Sequence, residues 1–399
     1  MSKNLVPLWS VASEVRKVVE PASLGKEVFH YSIPSLDEIG DGRMESSYDI
    51  KSAKLHLKGD EILVSKLNPR KSRVFLAQKR DVPSVASTEF VALRPFKIEP
   101  KFLFYLLSSE MVRQTLDSRV QSVTRSHQRA SPADVTRLQV YVPLIEEQRR
   151  IADFLDVEIS KIDQLIELRC SQLVVLRERY EARIDQLFSS TVNMRVTRLK
   201  RLLRARPRYG VLVPQFTDDG VPFIRVNDLS DLEARSKELL CIPKALSAQY
   251  RTTIVREGDL LVSVVGTLGR AAIASPSVVG ANVNRAIAIV RTKPGVEVEL
   301  LRQWMLSKSF TKQALEATAS DSAQRTLGME DLSNFVLAWP IDTSTQRSMV
   351  LDARRIEGDS RTMREPVSRQ LALLAERRQA LITAAVTGQL DVTTARSGL

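Results

Sequence analysis

Cysteine, histidine and long apolar runs are scarce in this 399-residue chain, and each scarcity excludes a class of protein. Only two cysteines occur, Cys170 and Cys241, which are too few for a disulfide framework or a cysteine-based zinc site. The histidines His30, His56 and His127 lie far apart and lack metal-ligand spacing. No run of about 18 apolar residues is present, which excludes a membrane-spanning helix. The amino terminus lacks a basic segment followed by an apolar core, so we expect a cytoplasmic protein.

Motifs for methyl-group, nucleotide and metal chemistry are also missing. The tetrapeptide of amino-methyltransferases does not occur, because Asn-Pro at 68–69 continues as Arg-Lys. The segment GTLGR at 266–270 does not match a phosphate-binding loop and predicts a tight turn between strands. The best metal-nuclease candidate joins Asp81 to the E-P-K triplet at 99–101, but its proline would interrupt the strand that such a site requires. We therefore predict no catalytic site, no metal site and no bound cofactor.

Positive charge is in clear excess. Lysine and arginine number 59 against 47 acidic residues, which gives a net charge of +12 and a pI near 9.8. Such an excess favours a polyanionic partner, most simply nucleic acid, because phosphate contacts release condensed counterions. A partner that is an acidic protein stays open on composition alone.

The chain contains an internal repeat. Its two copies match in the same order, and the final match is offset by 198 residues (374 − 176). The matched segments are KGDEILVS at 58–65 with EGDLLVS at 257–263, the tripeptide at 127–129 with that at 323–325, VPLIEEQRRI at 142–151 with WPIDTSTQRSMV at 339–350, and LRERYEARI at 176–184 with LAERRQALI at 374–382. Matches in one order indicate a duplication.

Each copy has a strand-rich part followed by a helical part. Short runs such as EILVS, FVALRP and AIAIVRT are rich in Val and Ile and bounded by turn residues, which predicts strands. The helical parts are thick with Glu, Arg, Leu and Ile. We predict globular domains at 1–143 and 196–341, helical segments at 144–195 and 342–392, and a tail at 393–399.

The helical segments carry apolar residues at alternating steps of four and three, which is typical of a coiled-coil seam. A helix of ~40 residues spans roughly 60 Å and cannot bury such a seam alone, so the second copy supplies the mate. Pro366 predicts a kink or restart near residue 365, with 343–364 as a separate helical piece. The predicted seam consists of Leu155, Ile159, Ile162, Ile166, Arg169, Leu173, Leu176, Tyr180, Arg183 and Leu187 on the first helix, and Val367, Leu371, Leu374 and Leu381 on the second.

The predicted fold class is therefore α+β. We expect two duplicated mixed α/β domains separated by two long antiparallel coiled-coil helices, with an internal pseudo-two-fold axis. A two-fold arrangement suits a ligand that has its own two-fold symmetry, and duplex DNA is the leading example.

These residues resemble the specificity subunits of type I restriction–modification systems. The resemblance covers essentially the whole chain, and its most specific motif is the ending ERRQALITAAVTGQ. Its other carriers are the segments at 30–42, 143–149, 176–184 and 258–270. The resemblance implies that each globular domain, a target-recognition domain, reads one half of a bipartite, asymmetric site in double-stranded DNA. It implies that the helices set the spacing and dock two DNA methyltransferase subunits, that a restriction/translocase subunit joins, and that S-adenosylmethionine, ATP and Mg belong to those partners.

Candidate DNA contacts lie in the polar loops of both strand-rich parts, because base edges and phosphates are bound mainly by Arg, Lys, Asn, Gln, Ser and Thr. In the first domain they are Lys66, Asn68, Arg70, Lys71, Arg73, Arg125, His127, Gln128 and Arg129. In the second domain they are Arg225, Asn227, Thr267, Arg270, Asn282, Asn284, Arg285, Gln324 and Arg325. Each has a plain alternative as solvated surface, and the Gln-Arg pairs shared by both copies also suit scaffolding.

Other interpretations stay open. The basic run RLKRLLRARPR at 198–208 suits a helix that flanks phosphates, or a solvated face with Leu199, Leu202 and Leu203 packed inward. The whole chain also suits the recognition subunit of a fused methyltransferase–nuclease, a coiled-coil scaffold for two proteins, or, least well, a stand-alone nuclease.

Overall fold

The computed structural model describes residues 5–119, 128–189, 193–319 and 326–392. The chain divides into two compact units, one made of Met1–Cys170 and Arg369–Leu399, the other of Ser171–Ser368. Each unit therefore contains one strand-rich repeat and a part of each helical segment. Within the four described ranges, no helix combines the length and the apolar character needed to cross a membrane.

The first unit is a mixed fold of sheets and short helices. Its strands are β1 (Leu5–Pro7), β2 (Ala12–Glu14), β3 (Val18–Val19), β4 (Glu27–Tyr31), β5 (Arg43–Ser46), β6 (Lys54–Leu57), β7 (Ile62–Ser65), β8 (Val74–Leu76), β9 (Ser84–Ala86), β10 (Phe90–Pro95) and β11 (Gln139–Tyr141). Its short helices are α1 (Ile33–Ile39), α2 (Pro100–Ser108), α3 (Glu110–Ser118) and α4 (Pro132–Thr136). The strands form a four-stranded sheet β2-β10-β7-β8, a five-stranded sheet β3-β6-β9-β4-β5 and the pair β1-β11.

The second unit repeats this plan after the long helix α5 (Ile145–Ser189). Its strands are β12 (Met194–Arg198), β13 (Arg208–Tyr209), β14 (Val221–Ile224), β15 (Leu240–Ile242), β16 (Leu260–Ser263), β17 (Ala271–Ile273), β18 (Asn282–Val283), β19 (Ile287–Val290) and β20 (Val336–Pro340). Its helices are α6 (Leu232–Arg235), α7 (Lys244–Gln249), α8 (Val298–Met305), α9 (Lys308–Ala317) and α10 (Met329–Asn334), followed by the second long helix α11 (Thr343–Val386). The sheets are β13-β19-β16-β17, β15-β14-β18 and the pair β12-β20.

The sheet orders confirm the duplication. The sheet β2-β10-β7-β8 corresponds to β13-β19-β16-β17, and the register agrees: Ser65 lies opposite Phe90, and Ser263 lies opposite Ile287. The pairs β1-β11 and β12-β20 are both antiparallel. The remaining sheet differs, with five strands in the first unit and three in the second. The two copies therefore share one scaffold and diverge in the second sheet.

A buried acid–arginine pair explains why the phrase around KGDEILVS recurs. Glu61 is fully buried and accepts a hydrogen bond from Arg94 at 2.6 Å. Asp259 takes the same place in the second unit and accepts from Arg291 at 2.8 and 2.9 Å. Removal of one partner would leave a buried charge unpaired, so substitution of only one residue of a pair destabilises the fold.

The repeated glutamine also has a structural role. The Gln148 side chain accepts from the backbone N–H of Glu99 at 2.8 Å, at the start of α2. Gln346 does the same for Glu297 at 2.9 Å, at the start of α8. Each bond satisfies one of the free N–H groups that every helix start presents. The shared glutamines therefore join the long helices to the short helices of their own units.

In the first unit several residues of the predicted seam lie in the core. Leu155, Ile159 and Ile162 are buried in the main core of that unit, together with Ile382, Ala385 and Val386 of α11. Arg378 forms an ion pair with Asp163 at 2.8 Å beside them. The partly buried seam residues Ile166, Leu374 and Leu381 pack against the same core.

In the second unit the buried face of α5 lies one residue beyond the prediction. Ile184 and Phe188 are buried, whereas Leu187 is half-buried and Arg183 pairs with Asp359 at 3.0 Å. A straight helix drifts by about 20° per heptad from a 3.5-residue repeat. Over the four and a half heptads from Leu155 to Leu187 the drift adds up to about 90°, which is close to the rotation between two successive residues of a helix.

The other predicted seam residues are buried to different degrees. Val367 is buried, while Leu173, Leu176, Tyr180 and Leu371 are half-buried. On α11, Met349, Val350, Ala353 and Ile356 enter the core that holds Ile184. Ion pairs join α5 to α11 in each unit: Asp163 with Arg378 in the first and Arg183 with Asp359 in the second.

The expected break at Pro366 is wrong. The helix α11 continues through this proline as one element of 44 residues. Proline lacks the N–H that would bond the carbonyl of Thr362, but it removes only this one bond. Helical turns on both sides, with buried Ile356 and Val367, hold the flanking segments in helical conformation.

The seam yields a stability prediction. Ile162 is 5% exposed, so Ile162→Asp would place a carboxylate in the core of the first unit. We expect the free energy of unfolding to fall by about 3 kcal/mol or more, measured by chemical denaturation of the full chain. Leu168→Asp, at a position 66% exposed on the same helix, is the matched control and should change it little. Equal effects of the two substitutions would contradict the seam.

A second prediction concerns the start of α11. Asp342 accepts hydrogen bonds from Ser344 and from the N–H of Thr345, which lowers the pKa of its carboxyl to about 2. A depressed pKa stabilises the fold above the ordinary value of 3.8, and this contribution is lost as the pH falls from 3.8 towards 2. We expect Asp342→Ala to lower the thermal midpoint at pH 6 but much less at pH 2. Asp352→Ala, at an exposed position on the same helix, should show no such change.

Candidate nucleic-acid interface

The two polar loops predicted in the first domain meet in the structure. The loop at 66–73 joins β7 to β8, and its Asn68 adopts a left-handed conformation with φ 48°. The N–H of Asn68 donates to the carbonyl of Gln128 at 2.9 Å, and that of Ala130 donates to the carbonyl of Lys66 at 2.9 Å. These backbone bonds hold Gln128 and Arg129 beside the loop. Arg125 and His127 lie outside the described residues.

The side chains of this loop differ in availability. Arg70 and Lys71 are exposed, and neither forms an ion pair with any described residue. Arg73 is only 9% exposed and binds Asp37 at 2.5 Å, and this hydrogen bond lowers the pKa of the Asp37 carboxyl. Arg129 is exposed but pairs with Glu89 at 3.3 Å. Arg70 and Lys71 are thus the exposed cations of this loop that no described carboxylate binds directly.

The amides of this loop are less accessible. Lys66, Asn68 and Gln128 are half-buried. The side-chain oxygens Oδ1 of Asn68 and Oε1 of Gln128 are buried and have no hydrogen-bond partner in the described structure. These two oxygens are therefore shielded from water, unlike those of freely solvated amides, and no sequence pattern predicts this burial.

In the second unit, three predicted residues gather at the end of β14. Arg225 pairs with the buried Asp228 at 3.2 Å, and Asn227 is exposed next to it. Arg270 donates to the carbonyl of Val226 at 3.3 Å. Arg270 follows the predicted tight turn, which is confirmed: Gly266 and Gly269 have φ of 73° and 82° between β16 and β17. Thr267 is exposed in this turn.

The segment at 282–285 corrects one prediction. Asn282 is fully buried in β18, which pairs in parallel with β14, so its side chain cannot contact DNA in this conformation. Both residues of this strand, Asn282 and Val283, are fully buried, and both amide atoms of Asn282 lack a described partner. Asn284 is half-buried and its Oδ1 accepts from the N–H of Ala286 at 2.8 Å. Arg285 is exposed.

The alignment of the Gln-Arg pairs is shifted by one residue. Gln324 and Arg325 lie outside the described residues. The bridge between Leu67 and Arg129 corresponds to the bridge between Val265 and Thr326, so Arg129 matches Thr326. Because Thr326 cannot repeat a guanidinium contact, this position is shared through its backbone only.

The nuclease candidate is not supported by the fold. Glu99 is the residue before α2, and Pro100 and Lys101 occupy its first turn rather than a strand. Lys101 instead pairs with Asp156 of α5. The part of the chain that the structure describes contains no group of three or more His, Cys, Asp or Glu that could hold a metal ion.

Four arginines were not predicted as contacts. Arg206, Arg208, Arg251 and Arg256 line one cavity of about 230 Å³ in the second unit. Arg206 and Arg208 belong to the basic run at 198–208, which the sequence analysis singles out. Only Leu199–Arg201 of this run is helical, as a single 3-10 turn. Leu199, Leu202 and Leu203 pack inward, as one of the two alternatives expects. Arg251 and Arg256 had no sequence signal.

Two copies of one strand-rich scaffold, two long helices and basic loops define a duplicated protein. Residues 38–170 match the type I restriction modification DNA specificity domain. The chain is 25% identical over 328 residues to the type I restriction enzyme EcoBI specificity subunit of Escherichia coli. That alignment covers 74% of this chain and 66% of the relative, so the chain spans just under two thirds of the relative's length.

A solved structure agrees in fold. A chain from a study of complex assembly and conformational transition of the type I R-M system superimposes with a TM-score of 0.64, over 97% of this chain and 98% of that one, at 18% identity. The chain is therefore similar to type I restriction–modification DNA specificity subunits, in sequence at residues 38–170 and in fold over almost its whole length.

The loop at 66–73 gives a paired prediction. Because Arg70 and Lys71 are exposed and unpaired, the variant Arg70→Gln/Lys71→Gln should lower DNA affinity and leave the thermal midpoint unchanged. Arg73→Gln should instead cost about 1 kcal/mol of stability, because Arg73 bonds the half-exposed Asp37. Salt-dependent DNA binding measures the change in affinity, and thermal unfolding measures the change in stability. Wild-type affinity in the double variant would remove these two residues from the interface.

Proposed function

We propose that the chain is the DNA sequence-specificity subunit of a type I restriction–modification complex, in which each strand-rich unit reads one half of a bipartite, asymmetric DNA site. The observation that carries this proposal is the contrast between the two copies. They share the sheet β2-β10-β7-β8 and its counterpart, but differ in the number of strands in the other sheet and in the residues of their loops. A common scaffold with different exposed residues suits two units that bind the same polymer at different base sequences.

The charges support duplex DNA as the ligand. The net charge is +12, and unpaired cations such as Arg70, Lys71 and Arg285 are exposed on loops next to the sheets. Lysine and arginine at such positions contact phosphates and set the register on the duplex, while amides and guanidinium groups read base edges. Asn227 and the Gln128-Arg129 segment are the candidates for base reading, on the ground of residue type and of the exposure of Asn227 and Arg129.

Catalysis belongs to partner subunits in this proposal. The long helices set the distance between the half-sites and dock two methyltransferase subunits, and a restriction/translocase subunit joins them. S-adenosylmethionine, ATP and Mg are bound by those partners, and the complex acts in the cytoplasm. The exposed apolar residues Leu168, Val174 and Val175 on α5 are consistent with helix surfaces that dock other chains.

Two alternatives lead to different observations. A recognition subunit of a fused methyltransferase–nuclease would have one neighbouring gene with both activities, whereas the type I assignment expects separate methyltransferase and translocase genes. A scaffold for two proteins would lack specific, salt-sensitive DNA affinity.

The decisive test is methylation mapping of the host genome with this gene intact, deleted and restored. We expect deletion to abolish methylation at one split, asymmetric motif, because the partner methyltransferases would lose their only reader of that site. Restoration of the gene should restore the same motif. An unchanged map in a host whose partner genes are expressed would reject the reader role and favour the scaffold.

A further inference from the structure

A groove rich in arginine runs across the second unit. A cavity of about 230 Å³ is lined by Arg206, Arg208, Arg251 and Arg256. A neighbouring cavity of about 640 Å³ is lined by Arg208 and Arg285, and also by Tyr209 and Tyr250. Arg208 and Thr252 line both cavities, so the two cavities adjoin at these residues. We name them together the arginine groove.

The charge of the arginine groove is uncompensated. Arg206, Arg208, Arg251, Arg256 and Arg285 are exposed, and none of them forms an ion pair within the described ranges. No carboxylate lines either cavity. The sixth arginine of the groove, Arg291, is committed to Asp259. Arginine stays protonated at any physiological pH, so only an external anion can neutralise this cluster.

The fold holds these arginines in place. Arg291 donates to the carbonyls of Thr252 at 3.2 Å and Ile254 at 2.8 Å, while Asp259 accepts from the N–H of Arg256 at 2.9 Å. The buried pair thus anchors the backbone of residues 251–256. Arg208 lies on β13, opposite Ile289 of the central strand β19. Rigid backbone under charged side chains lowers the entropic cost of binding.

The groove is not part of the shared scaffold. In the first unit the position equivalent to Arg208 is Val15, which bonds Ala92 of β10 and is buried. An arginine that served only to hold the common sheet would recur in both copies, as Arg94 and Arg291 do. The contribution of Arg208 to the arginine groove is therefore specific to the second unit.

Three hydroxyl groups of the groove are already engaged in hydrogen bonds. The hydroxyl of Tyr209 donates to the carbonyl of Leu327 at 2.7 Å, and that of Tyr250 accepts from the N–H of Leu212 at 3.5 Å. The hydroxyl of Thr253 donates to the carbonyl of Tyr250 at 3.0 Å. The groups left for a ligand are mainly guanidinium groups, whose planar donors match phosphate oxygens.

We propose that the arginine groove holds the sugar–phosphate backbone of the duplex bound by the second unit, and so supplies affinity without base readout. The proposal rests on the proposed function. Five cations spread over two adjoining cavities suit a row of phosphates better than one small anion, which needs a single enclosed set of donors. Lysine and arginine that contact phosphates fix position and carry no sequence information directly.

The test uses the chain assembled with its partner subunits. In Arg208→Gln/Arg251→Gln and in the quadruple variant that adds Arg206→Gln and Arg256→Gln, DNA affinity is measured against salt for the cognate site and a scrambled site. We expect the slope of log K against log salt to lose about 0.9 per phosphate contact, so roughly 2 in the double variant and 3–4 in the quadruple one. The losses should be equal for both DNAs, and the methylated motif should stay the same.

The matched control is Lys237→Gln/Lys244→Gln, which removes two exposed, unpaired charges from the same unit outside both cavities. It should change the slope far less than the double arginine variant. Equal slopes in the double arginine variant and this control would overturn the proposal. A methylated motif that became less specific in one half-site would also overturn it, because it would show that the arginines read bases.

A competition arm distinguishes a DNA backbone from a small anion in the groove. Pyrophosphate added at constant ionic strength should leave DNA affinity unchanged; competition that disappears in the quadruple variant would identify a small-anion site instead and overturn the proposal. Failure of the wild-type complex to prefer its cognate site would reject the proposed function itself. A specific wild-type complex with an inert groove would reject only the groove.

Discussion

A 45-residue helix with an apolar stripe cannot cover that stripe by itself, and the way α5 covers it organises the whole chain. In the first unit the cover is the last part of α11, whose Ile382, Ala385 and Val386 are buried in the same core as Leu155. In the second unit it is the first part of α11, around Ala353. The first unit therefore completes its core with residues more than 200 positions away, so the final helix of the chain is required for the first recognition unit.

A small set of buried polar contacts defines what the two copies share. Glu61 with Arg94 and Asp259 with Arg291 tie together the central strands, and Gln148 and Gln346 tie the long helices to α2 and α8. Each of these contacts is costly to break from one side, since the remaining partner would stay buried and unsatisfied. Exposed residues carry no such cost, and for this reason the loops and the second sheet can differ while the scaffold remains the same.

The candidate site was only partly predictable, because availability depends on partners distant in sequence. The loops around Lys66 and Gln128 were predicted together, and backbone bonds bring them together. The same reasoning makes Arg73 a candidate DNA contact, yet its guanidinium group forms an ion pair with Asp37 of α1. Conversely, Arg251 carried no signal in the sequence, since it joins Arg208 only when β13 and the segment at 251–256 fold side by side. Residue type identified candidates, but exposure and pairing selected among them.

The sequence by itself determined the duplication, the two long helices and the first half of the seam, because repeats and heptad spacing are local patterns that need no knowledge of neighbours. Tertiary structure alone decided the rest. Helical drift placed Ile184 rather than Arg183 in the core. Packing on both sides carried α11 through Pro366. Tertiary packing buried Asn282, and the folded second unit brought the residues of the arginine groove together. Each of these outcomes depends on contacts between segments far apart in the chain, and such contacts leave no periodic trace in the sequence.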